Sequence, residues 1–275
     1  MATANVNGSE LYYEVCGNGP PLLAIHGGLG FDHVYMKATL GPLERDFEVI
    51  YYDQRGNGRS DRVQPATLTM EQLADDAAAL ITHLGRQNAI VLGHSYGGFV
   101  AQELAIRHPA RVRALVLVDT TPGQLGAGES ADETEQGPPI PPEMAAMMSS
   151  APSSDEEFAL SMGALLPYYF HNPFPPEAAS MMDGTSYSVA AMVRGFEVLS
   201  RWSSVDRLGT IGAPTLLLWG RHDLICSAPQ ATRIAKRIPG AEVRFFEQSG
   251  HFPWIEEPEA FFETLSDWLG RKALV

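Results

Sequence analysis

The chain has 275 residues, of which 45% are hydrophobic, and its 33 acidic and 19 basic residues give a net charge of −14. An acidic chain lacks the basic surface that nucleic acids and anionic membranes require in a partner. No apolar run approaches the ~18 residues of a membrane span, and the first residues lack the basic start and apolar core of a secretory signal. Two cysteines, Cys16 and Cys226, cannot build a disulfide framework or a zinc cluster, so reduced thiols in a cytoplasm are the simpler interpretation. The sequence gives no indication of the oligomeric state.

Strand-like and helix-like segments alternate over the first 120 residues. Three strands are predicted at Glu10–Cys16, Leu22–His26 and Phe47–Asp53. The helix that follows gathers its apolar residues on one face, at Leu73, Ala77, Leu80, Ile81 and Leu84. Thr69 and Gln72 form a capping box before this helix, and Gly85 ends it.

The same alternation continues to residue 121. A buried strand is predicted at Ala89–Leu92, a helix at Tyr96–Arg107 that ends before Pro109, and another buried strand at Val112–Val118. Strands that alternate with helices indicate βαβ units and a mostly parallel sheet. The fold class is therefore α/β.

The alternation of predicted strands and helices stops after Thr121 and resumes after Pro214. Residues 122–142 have the Pro, Gly and acidic composition of an exposed linker, and residues 143–205 indicate several short helices that hold seven of the ten methionines. Strands are then predicted at Thr215–Trp219 and Val243–Phe246, and helices at Pro229–Ile238 and Pro258–Leu269. We therefore expect an α/β core in two parts, residues 1–121 and 207–275, interrupted by a helical insertion at residues 122–206.

The most informative motif is the G-x-S-x-G sequence Gly93-His94-Ser95-Tyr96-Gly97. It lies between a predicted strand and a predicted helix, the context in which a sharp turn exposes a serine hydroxyl above the edge of a sheet. The glycines let the crowded backbone make this turn, and the helix N-terminus favours a developing negative charge. Ser95 is therefore the candidate nucleophile.

A serine hydroxyl needs a general base and an acid that orients it. His251 follows the last predicted strand and reaches the carboxyl edge of the sheet, which makes it the candidate base among eight histidines. Of the others, His26 has the position of a structural residue, while His33 and His171 are candidates to line a pocket. Asp223 follows the strand Thr215–Trp219 and gives the chain order Ser, Asp, His. Asp119, at the end of Val112–Val118, is the alternative acid.

An oxyanion needs two backbone N–H donors. One is expected from Tyr96, the residue after the nucleophile. The other is expected from the glycine-rich loop after the early strand, where Gly28 is the candidate and Leu29 the alternative one residue on.

These motifs resemble the α/β-hydrolase superfamily over essentially the whole chain. The segments that carry the resemblance are the oxyanion loop His26-Gly27-Gly28, the turn Tyr52–Ser60, the elbow Gly93–Gly98, the acid segment Gly220–Asp223 and the base segment Ser249–His251. The resemblance implies an eight-stranded, mostly parallel sheet with helices on both faces, and an inserted helical cap beginning near Pro122. It also implies a serine hydrolase that forms an acyl-enzyme.

Within the superfamily, two subgroups give different substrate expectations. The oxyanion loop together with Asp53-Gln54-Arg55-Gly56 is similar to the proline iminopeptidases, whose members hold a free amine with acidic cap residues; the candidates here are Glu143, Glu177 and Glu197. Leu29 stands where that group usually has Pro, however, and His94-Ser95-Tyr96 replaces its usual Gly-Ser-Trp. The elbow is more similar to general esterases and lactonases.

We therefore expect hydrolysis of an ester or lactone of a small-to-medium, largely apolar compound. The alternatives are an amide or aminoacyl hydrolase, then a C–C bond hydrolase or a cofactor-free perhydrolase, then a ligand receptor that keeps the hydrolase fold. No cofactor or metal is expected, because no dinucleotide, phosphate or metal-ligand motif occurs in its required context. Cys226 is interpreted as a packing residue.

The insertion is expected to roof the site. Candidate pocket residues are Leu29, Met144, Met148, Tyr169, Phe170, Met192 and Phe252. No Lys or Arg occurs between Arg113 and Arg194, a stretch with 11 acidic residues: Asp119, Glu129, Asp132, Glu133, Glu135, Glu143, Asp155, Glu156, Glu157, Glu177 and Asp183. We interpret most of them as a solvated surface, and the sharper hypothesis is that they disfavour anionic substrates.

Overall fold

The computed structural model describes residues 2–124, 137–149, 151–172 and 174–272, apart from the side chains of residues 176 and 177. Eight strands are present: β1 (Ala2–Val6), β2 (Ser9–Cys16), β3 (Pro21–Ile25), β4 (Glu48–Tyr52), β5 (Ala89–His94), β6 (Val112–Val118), β7 (Thr215–Gly220) and β8 (Glu242–Phe246). They form one sheet in the order β1-β2-β4-β3-β5-β6-β7-β8. Strand β2 pairs antiparallel with β1 and with β4, and every other pairing is parallel.

The helices of the described residues lie between the strands and after them. They are α1 (Val34–Thr39), α2 (Met70–His83), α3 (Tyr96–Arg107), α4 (Pro142–Ser149), α5 (Asp155–Leu165), α6 (Pro176–Ala179), α7 (Val189–Leu199), α8 (Pro229–Ala235), α9 (Pro253–Glu256) and α10 (Pro258–Arg271). No helix within the described ranges combines the length and the apolarity needed to cross a membrane.

The central strands are apolar on both faces because helices cover both sides of the sheet. In β6, Leu115 and Leu117 pack into the core beneath α2, α3 and α8, whereas Val116 and Val118 pack into the opposite core with α1, α9 and α10. The side chains of successive strand residues alternate between faces, so one continuous apolar run supplies both cores. The predicted α/β class and the eight-stranded, mostly parallel sheet are confirmed.

Two elements of the first 40 residues are absent from the sequence-based prediction. Strand β1 is a short, half-exposed edge strand with the sequence ATANV, which has no apolar run that would predict a strand. Helix α1 has six residues and no side-chain cap, so neither its periodicity nor its start is visible in the sequence. The N-cap half of the predicted capping box of α2 is present, since the Thr69 side chain accepts a hydrogen bond from the Gln72 N–H, whereas the Gln72 amide donates to Asp76.

The chain between β6 and β7 carries α4 to α7, and we propose residues 122–206 as the cap. Much of the predicted linker, residues 125–136, lies outside the described residues, and α4 begins at Pro142. The cap segment is bonded to the loop after β3: Ser188 N–H donates to Gly30 O at 2.7 Å, and Ser186 N–H donates to the Asp32 carboxylate at 2.9 Å. A second attachment joins it to α9, where Glu256 accepts hydrogen bonds from the N–H groups of His171 and Asn172.

Candidate active site

Ser95 lies at the sharp turn between β5 and α3, with φ 52° and ψ −121°. A non-glycine residue in this region is strained by about 1–3 kcal/mol and persists only where its surroundings hold it. Three hydrogen bonds do so here. Ser95 N–H donates to Val118 O at 3.0 Å, and Ser95 O accepts from Gly98 N–H at 2.9 Å and from the Thr120 hydroxyl at 2.7 Å.

The glycines of the motif allow the strand and the helix to approach closely. A Cβ on Gly93 would lie 2.5 Å from Gly97 O, and a Cβ on Gly97 would overlap Ile25 O of the neighbouring strand. The G-x-S-x-G spacing is therefore a packing requirement of the turn. Helix α3 begins at Tyr96, so its first N–H groups lie at the site without partners in their own helix.

His251 and Asp223 form a buried hydrogen-bonded pair beside this turn. His251 Nδ1 lies 2.7 Å from Asp223 Oδ2, and both residues are almost fully buried. The two residues come from the loops after β8 and β7, whose carboxyl ends share one edge of the sheet with β5. The bond at Nδ1 leaves Nε2 of His251 as the basic nitrogen.

Asp119 lies next to Asp223 and does not replace it. Its Oδ1 accepts the Gly220 N–H at 2.9 Å, whereas its buried Oδ2 receives no hydrogen bond. Complete burial, and then the charge of Asp223, raise the pKa of Asp119 well above its ordinary value. Asp119 is thus a buried neighbour of Asp223, the carboxyl group that contacts His251.

Cys226 lies closer to the site than its interpretation as a packing residue implies. Its Sγ and the ligand atoms of Asp223 and His251 all lie within 4.8 Å of one another. Burial raises the pKa of the thiol well above its ordinary value. In the described part of the chain this trio is the only such cluster of metal-ligating side chains, and its His251 Nδ1 is already bonded to Asp223.

The loop after β3 lies against Ser95. A Cβ on Gly27 would lie 2.9 Å from the Ser95 Cβ. The Gly27 N–H donates to the Tyr35 hydroxyl at 2.6 Å, so it is not available to a substrate. The next peptide turns at Gly28, which has φ +74° and lies against the ring of Phe31.

Two other histidines, His26 and His33, have structural positions. His26 Nε2 accepts the Gln54 N–H at 3.0 Å, in agreement with its structural interpretation. The expectation that His33 lines a pocket is wrong. Its ring is fully buried between those of Tyr12 and Tyr51, and its Nδ1 lies 2.6 Å from Asp53.

His171 is exposed rather than part of a pocket. Its ring stacks on that of His222, with the centroids 3.5 Å apart. His171 belongs to the cap and His222 to the loop after β7, so the stacked pair lies where these two segments meet.

The predicted pocket residues divide into three groups. Met144 and Met192 belong to an apolar cluster of the cap that also contacts Leu29 and Tyr169, which we call the cap cluster. Its buried members are Met144, Phe158, Met162, Leu165 and Met192, and its half-buried neighbours include Leu29, Phe31, Tyr168, Tyr169, Tyr187, Val189, Leu224 and Ile225.

The other three pocket candidates lie elsewhere. Phe170 and Phe252 stack on each other, 5.2 Å between centroids, and pack into the core beside α9 and α10. Met148 is 52% exposed on α4, so we remove it from the pocket. Periodicity could not separate the two faces of such a short apolar helix.

Tyr35 and Phe31 both contact the oxyanion loop but are not predicted from the sequence. Tyr35 lies on the unpredicted helix α1, and nothing in its sequence surroundings indicates the contact. Only the tertiary structure brings them to the site.

A protein-family model described as "alpha/beta hydrolase fold" matches residues 20–258. The chain therefore belongs to the α/β-hydrolase family, and it is a hydrolase by fold and by the names of its relatives.

Three similar proteins have different hydrolase names. The chain is 28% identical to the proline iminopeptidase PfmaB of Pestalotiopsis fici, over 96% of this chain and 97% of that protein. It superposes on the enol-lactonase from Burkholderia xenovorans with a TM-score of 0.76 and 25% identity, covering 98% of this chain and 100% of that one. It also superposes on a thermophilic esterase from Thermogutta terrifontis with a TM-score of 0.75 and 29% identity, covering 99% and 97% of the two chains.

Proposed function

We propose that this protein hydrolyses carboxylic esters or lactones of small-to-medium, neutral, largely apolar compounds by a serine mechanism. The observation that carries the proposal is the buried His251–Asp223 pair, with a 2.7 Å hydrogen bond, at the sheet edge that also holds the strained Ser95. A hydroxyl, an imidazole and a carboxylate in this order are the groups that acyl transfer requires.

In the acylation step, Ser95 Oγ forms a bond to the substrate carbonyl carbon while His251 Nε2 accepts its proton. Asp223 holds the imidazole in the required tautomer and stabilises the imidazolium. His251 then gives this proton to the leaving oxygen as the C–O bond breaks. Water then bonds to the acyl carbon as His251 Nε2 takes its proton, and the imidazolium returns that proton to Ser95 Oγ as the ester bond to Ser95 breaks and the acid leaves. The oxyanion of each tetrahedral intermediate is assigned to the N–H groups of Gly28 and Tyr96.

The apolar composition of the cap cluster favours a substrate with an apolar acyl group. Its members and half-buried neighbours are hydrophobic residues, and it contacts both the oxyanion loop at Leu29 and the acid loop at Leu224. Burial of an apolar acyl chain there stabilises the complex by about 25 cal/mol per Å². The relatives named for lactone and ester hydrolysis are consistent with this substrate class.

Hydrolysis of aminoacyl compounds is the second candidate, and it is favoured by the similarity to a proline iminopeptidase. Such an enzyme needs a carboxylate at the site to hold the free amine. Glu143 is exposed, and Glu197 is exposed and paired with Arg194 at 2.8 Å, while the side chain of Glu177 lies outside the described residues. The two described candidates therefore give no support to an amine clamp.

We propose a cytoplasmic location for this reaction. The free thiols of Cys16 and Cys226 are consistent with a reducing compartment.

Ser95→Ala tests the mechanism, because it removes the nucleophile and leaves the turn's backbone bonds intact. We expect kcat for a neutral p-nitrophenyl ester to fall by ~10³-fold or more with little change in the melting temperature. Covalent labelling of the wild-type protein by a fluorophosphonate, read by intact mass, should be lost in the variant. A variant that hydrolyses the ester at the wild-type rate would overturn the proposal.

A panel of esters, lactones and aminoacyl amides, each measured with the wild-type protein and with Ser95→Ala, separates the two substrate classes. We expect Ser95-dependent turnover of neutral esters or lactones. A strict requirement for a free α-amine would select the aminoacyl hydrolase instead.

A further inference from the structure

We propose that Tyr35 and His94 are positioning residues, which hold the oxyanion loop and the catalytic base at a fixed spacing on the two sides of Ser95. The inference rests on the proposed serine mechanism. It starts from a chain of three hydrogen bonds that runs beneath the site and that the catalytic roles assigned above do not use. The chain links the Gly27 peptide, the Tyr35 hydroxyl, the His94 imidazole and the His251 carbonyl.

The direction of each bond follows from the groups at the two ends. The His251 carbonyl can only accept, so His94 Nε2 carries the proton in the 3.0 Å bond. Burial, and then the charge of His251, hold the pKa of His94 well below its ordinary value, which keeps its Nδ1 unprotonated. Tyr35 therefore donates to Nδ1 at 2.7 Å and accepts the Gly27 N–H at 2.6 Å.

At one end, this chain fixes the oxyanion loop. Gly27 lies against Ser95, and its N–H is turned inward to Tyr35, so the peptides that follow are left to supply the donor. Burial raises the pKa of Tyr35, which keeps the hydroxyl neutral and able to donate. An oxyanion donor is effective only within a few tenths of an ångström of its productive position.

At the other end, the chain fixes the base. The His251 carbonyl accepts from His94, while the His251 N–H donates to Tyr169 O at 2.7 Å. The His94 ring also packs against the ring of His251, with 4.6 Å between centroids, and edge-on against Trp254 at 4.7 Å. The peptide of the base is thus held from the core by His94 and from the cap by Tyr169.

Neither Tyr35 nor His94 is assigned a contact with the reacting atoms, so their effect is on geometry. A misplacement of about 1 Å at a reacting group costs up to about 100-fold in rate. Because the oxyanion forms only in the transition state, loss of its donor geometry lowers kcat more than it raises KM. If these residues acted in substrate binding alone, their loss would raise KM and leave kcat nearly unchanged.

The test compares Tyr35→Phe with Tyr52→Phe in the full-length protein. Both tyrosines are almost fully buried, but the Tyr52 hydroxyl has no hydrogen-bond partner among the described residues. With p-nitrophenyl butyrate, we expect Tyr35→Phe to lower kcat by about 10- to 100-fold and to change KM by less than about 3-fold. We expect Tyr52→Phe to stay within about 2-fold of the wild-type kcat. Titration of competent sites with a fluorophosphonate corrects each rate for misfolded protein.

His94→Gln and His94→Leu provide a second arm. The Gln amide can still donate to the His251 carbonyl, whereas Leu keeps much of the volume and removes both hydrogen bonds. We expect His94→Gln to recover at least about 5-fold in kcat over His94→Leu. A kcat loss in Tyr35→Phe no larger than in Tyr52→Phe, or a loss confined to KM, would falsify the positioning role.

The positioning role and the proposed function fail in different ways. If wild-type protein is labelled at Ser95 and hydrolyses the ester, but Tyr35→Phe behaves as wild type, only the positioning role is overturned. If wild-type protein shows neither labelling nor Ser95-dependent turnover, the proposed function is overturned and the positioning role with it.

Discussion

At the scale of single residues, two carboxyl groups share the sheet edge and differ in their environment. Asp223 contacts the imidazole of His251, while Asp119 has only the Gly220 N–H as a donor and is completely buried. Burial and the neighbouring charge therefore keep Asp119 protonated where an unfolded aspartate is ionised. Of the two adjacent acids, only Asp223 is hydrogen-bonded to His251.

Asp119→Asn tests this assignment through activity. The amide retains an oxygen for the Gly220 N–H and, like a protonated carboxyl group, carries no charge beside Asp223. We expect kcat within about 3-fold of wild type for Asp119→Asn, and a loss of ~10³- to 10⁴-fold for Asp223→Asn. Equal losses in the two variants would show that both acids serve the base.

The same substitution has a pH signature. Folding raises the pKa of Asp119, so the folded chain binds a proton that the unfolded chain has lost, and this group destabilises the fold as pH rises above ~4. Asp119→Asn should therefore gain stability relative to wild type by about 1.4 kcal/mol per pH unit in that range. Urea unfolding at several pH values measures the difference, with the exposed Asp183→Asn as the control. A difference that does not change with pH would contradict a protonated Asp119.

At the scale of elements, the elbow depends on a close approach of helix α3 to the sheet. Gly97 of α3 and Gly163 of α5 are both helical glycines, but a Cβ on Gly97 would overlap Ile25 O, whereas the space around Gly163 is open. Replacement of glycine by alanine should therefore lower the free energy of unfolding at Gly97 and raise it at Gly163.

We expect Gly97→Ala to lower the free energy of unfolding by about 3 kcal/mol, because the new Cβ meets the backbone of β3 and neither β3 nor α3 can move away easily. We expect Gly163→Ala to raise it by about 0.5–1 kcal/mol, because alanine loses less conformational entropy on folding. Thermal melts of the two variants beside wild type provide the measurement. A Gly97→Ala protein that melts with the wild-type protein would show that the strand–helix approach is not tight.

At the scale of the whole molecule, the net charge of −14 has an uneven distribution. Of the 11 acidic residues between Arg113 and Arg194, Asp119 is completely buried, so it is not part of the surface. The described cap acids Glu143, Asp155, Glu156, Glu157 and Asp183 are exposed. Glu129, Asp132, Glu133 and Glu135 lie outside the described residues, as does the side chain of Glu177. The described acids agree with a solvated acidic surface over an apolar cluster.

This charge should select against anionic substrates in a salt-dependent way. At about 0.01 M salt the Debye length is about 30 Å, and at about 1 M it is about 3 Å, so the repulsion is screened only at high salt. We expect kcat/KM for a carboxylate-bearing ester to be low and to rise several-fold with salt, while that for an uncharged ester of equal length changes by less than about 2-fold. Equal turnover of both esters at low salt would contradict the hypothesis.

The sequence by itself determined the α/β class, most of the strands and the identity of the motif residues. Apolar runs, capping signals and the G-x-S-x-G spacing are local patterns. They can be recognised without knowing which residues lie nearby in the folded chain. The helix Tyr96–Arg107 and the strand Val112–Val118 have the predicted bounds for this reason.

Only the tertiary structure decided which residues meet. It brought Asp223 rather than Asp119 to His251, removed Met148 from the cap cluster and placed Tyr35 under the oxyanion loop. Residues 119 and 223 both follow strands that end at the same edge, so chain order alone cannot rank their distances to one imidazole. The ranking comes from the strand order of the sheet and from the packing around it, which no local sequence pattern encodes.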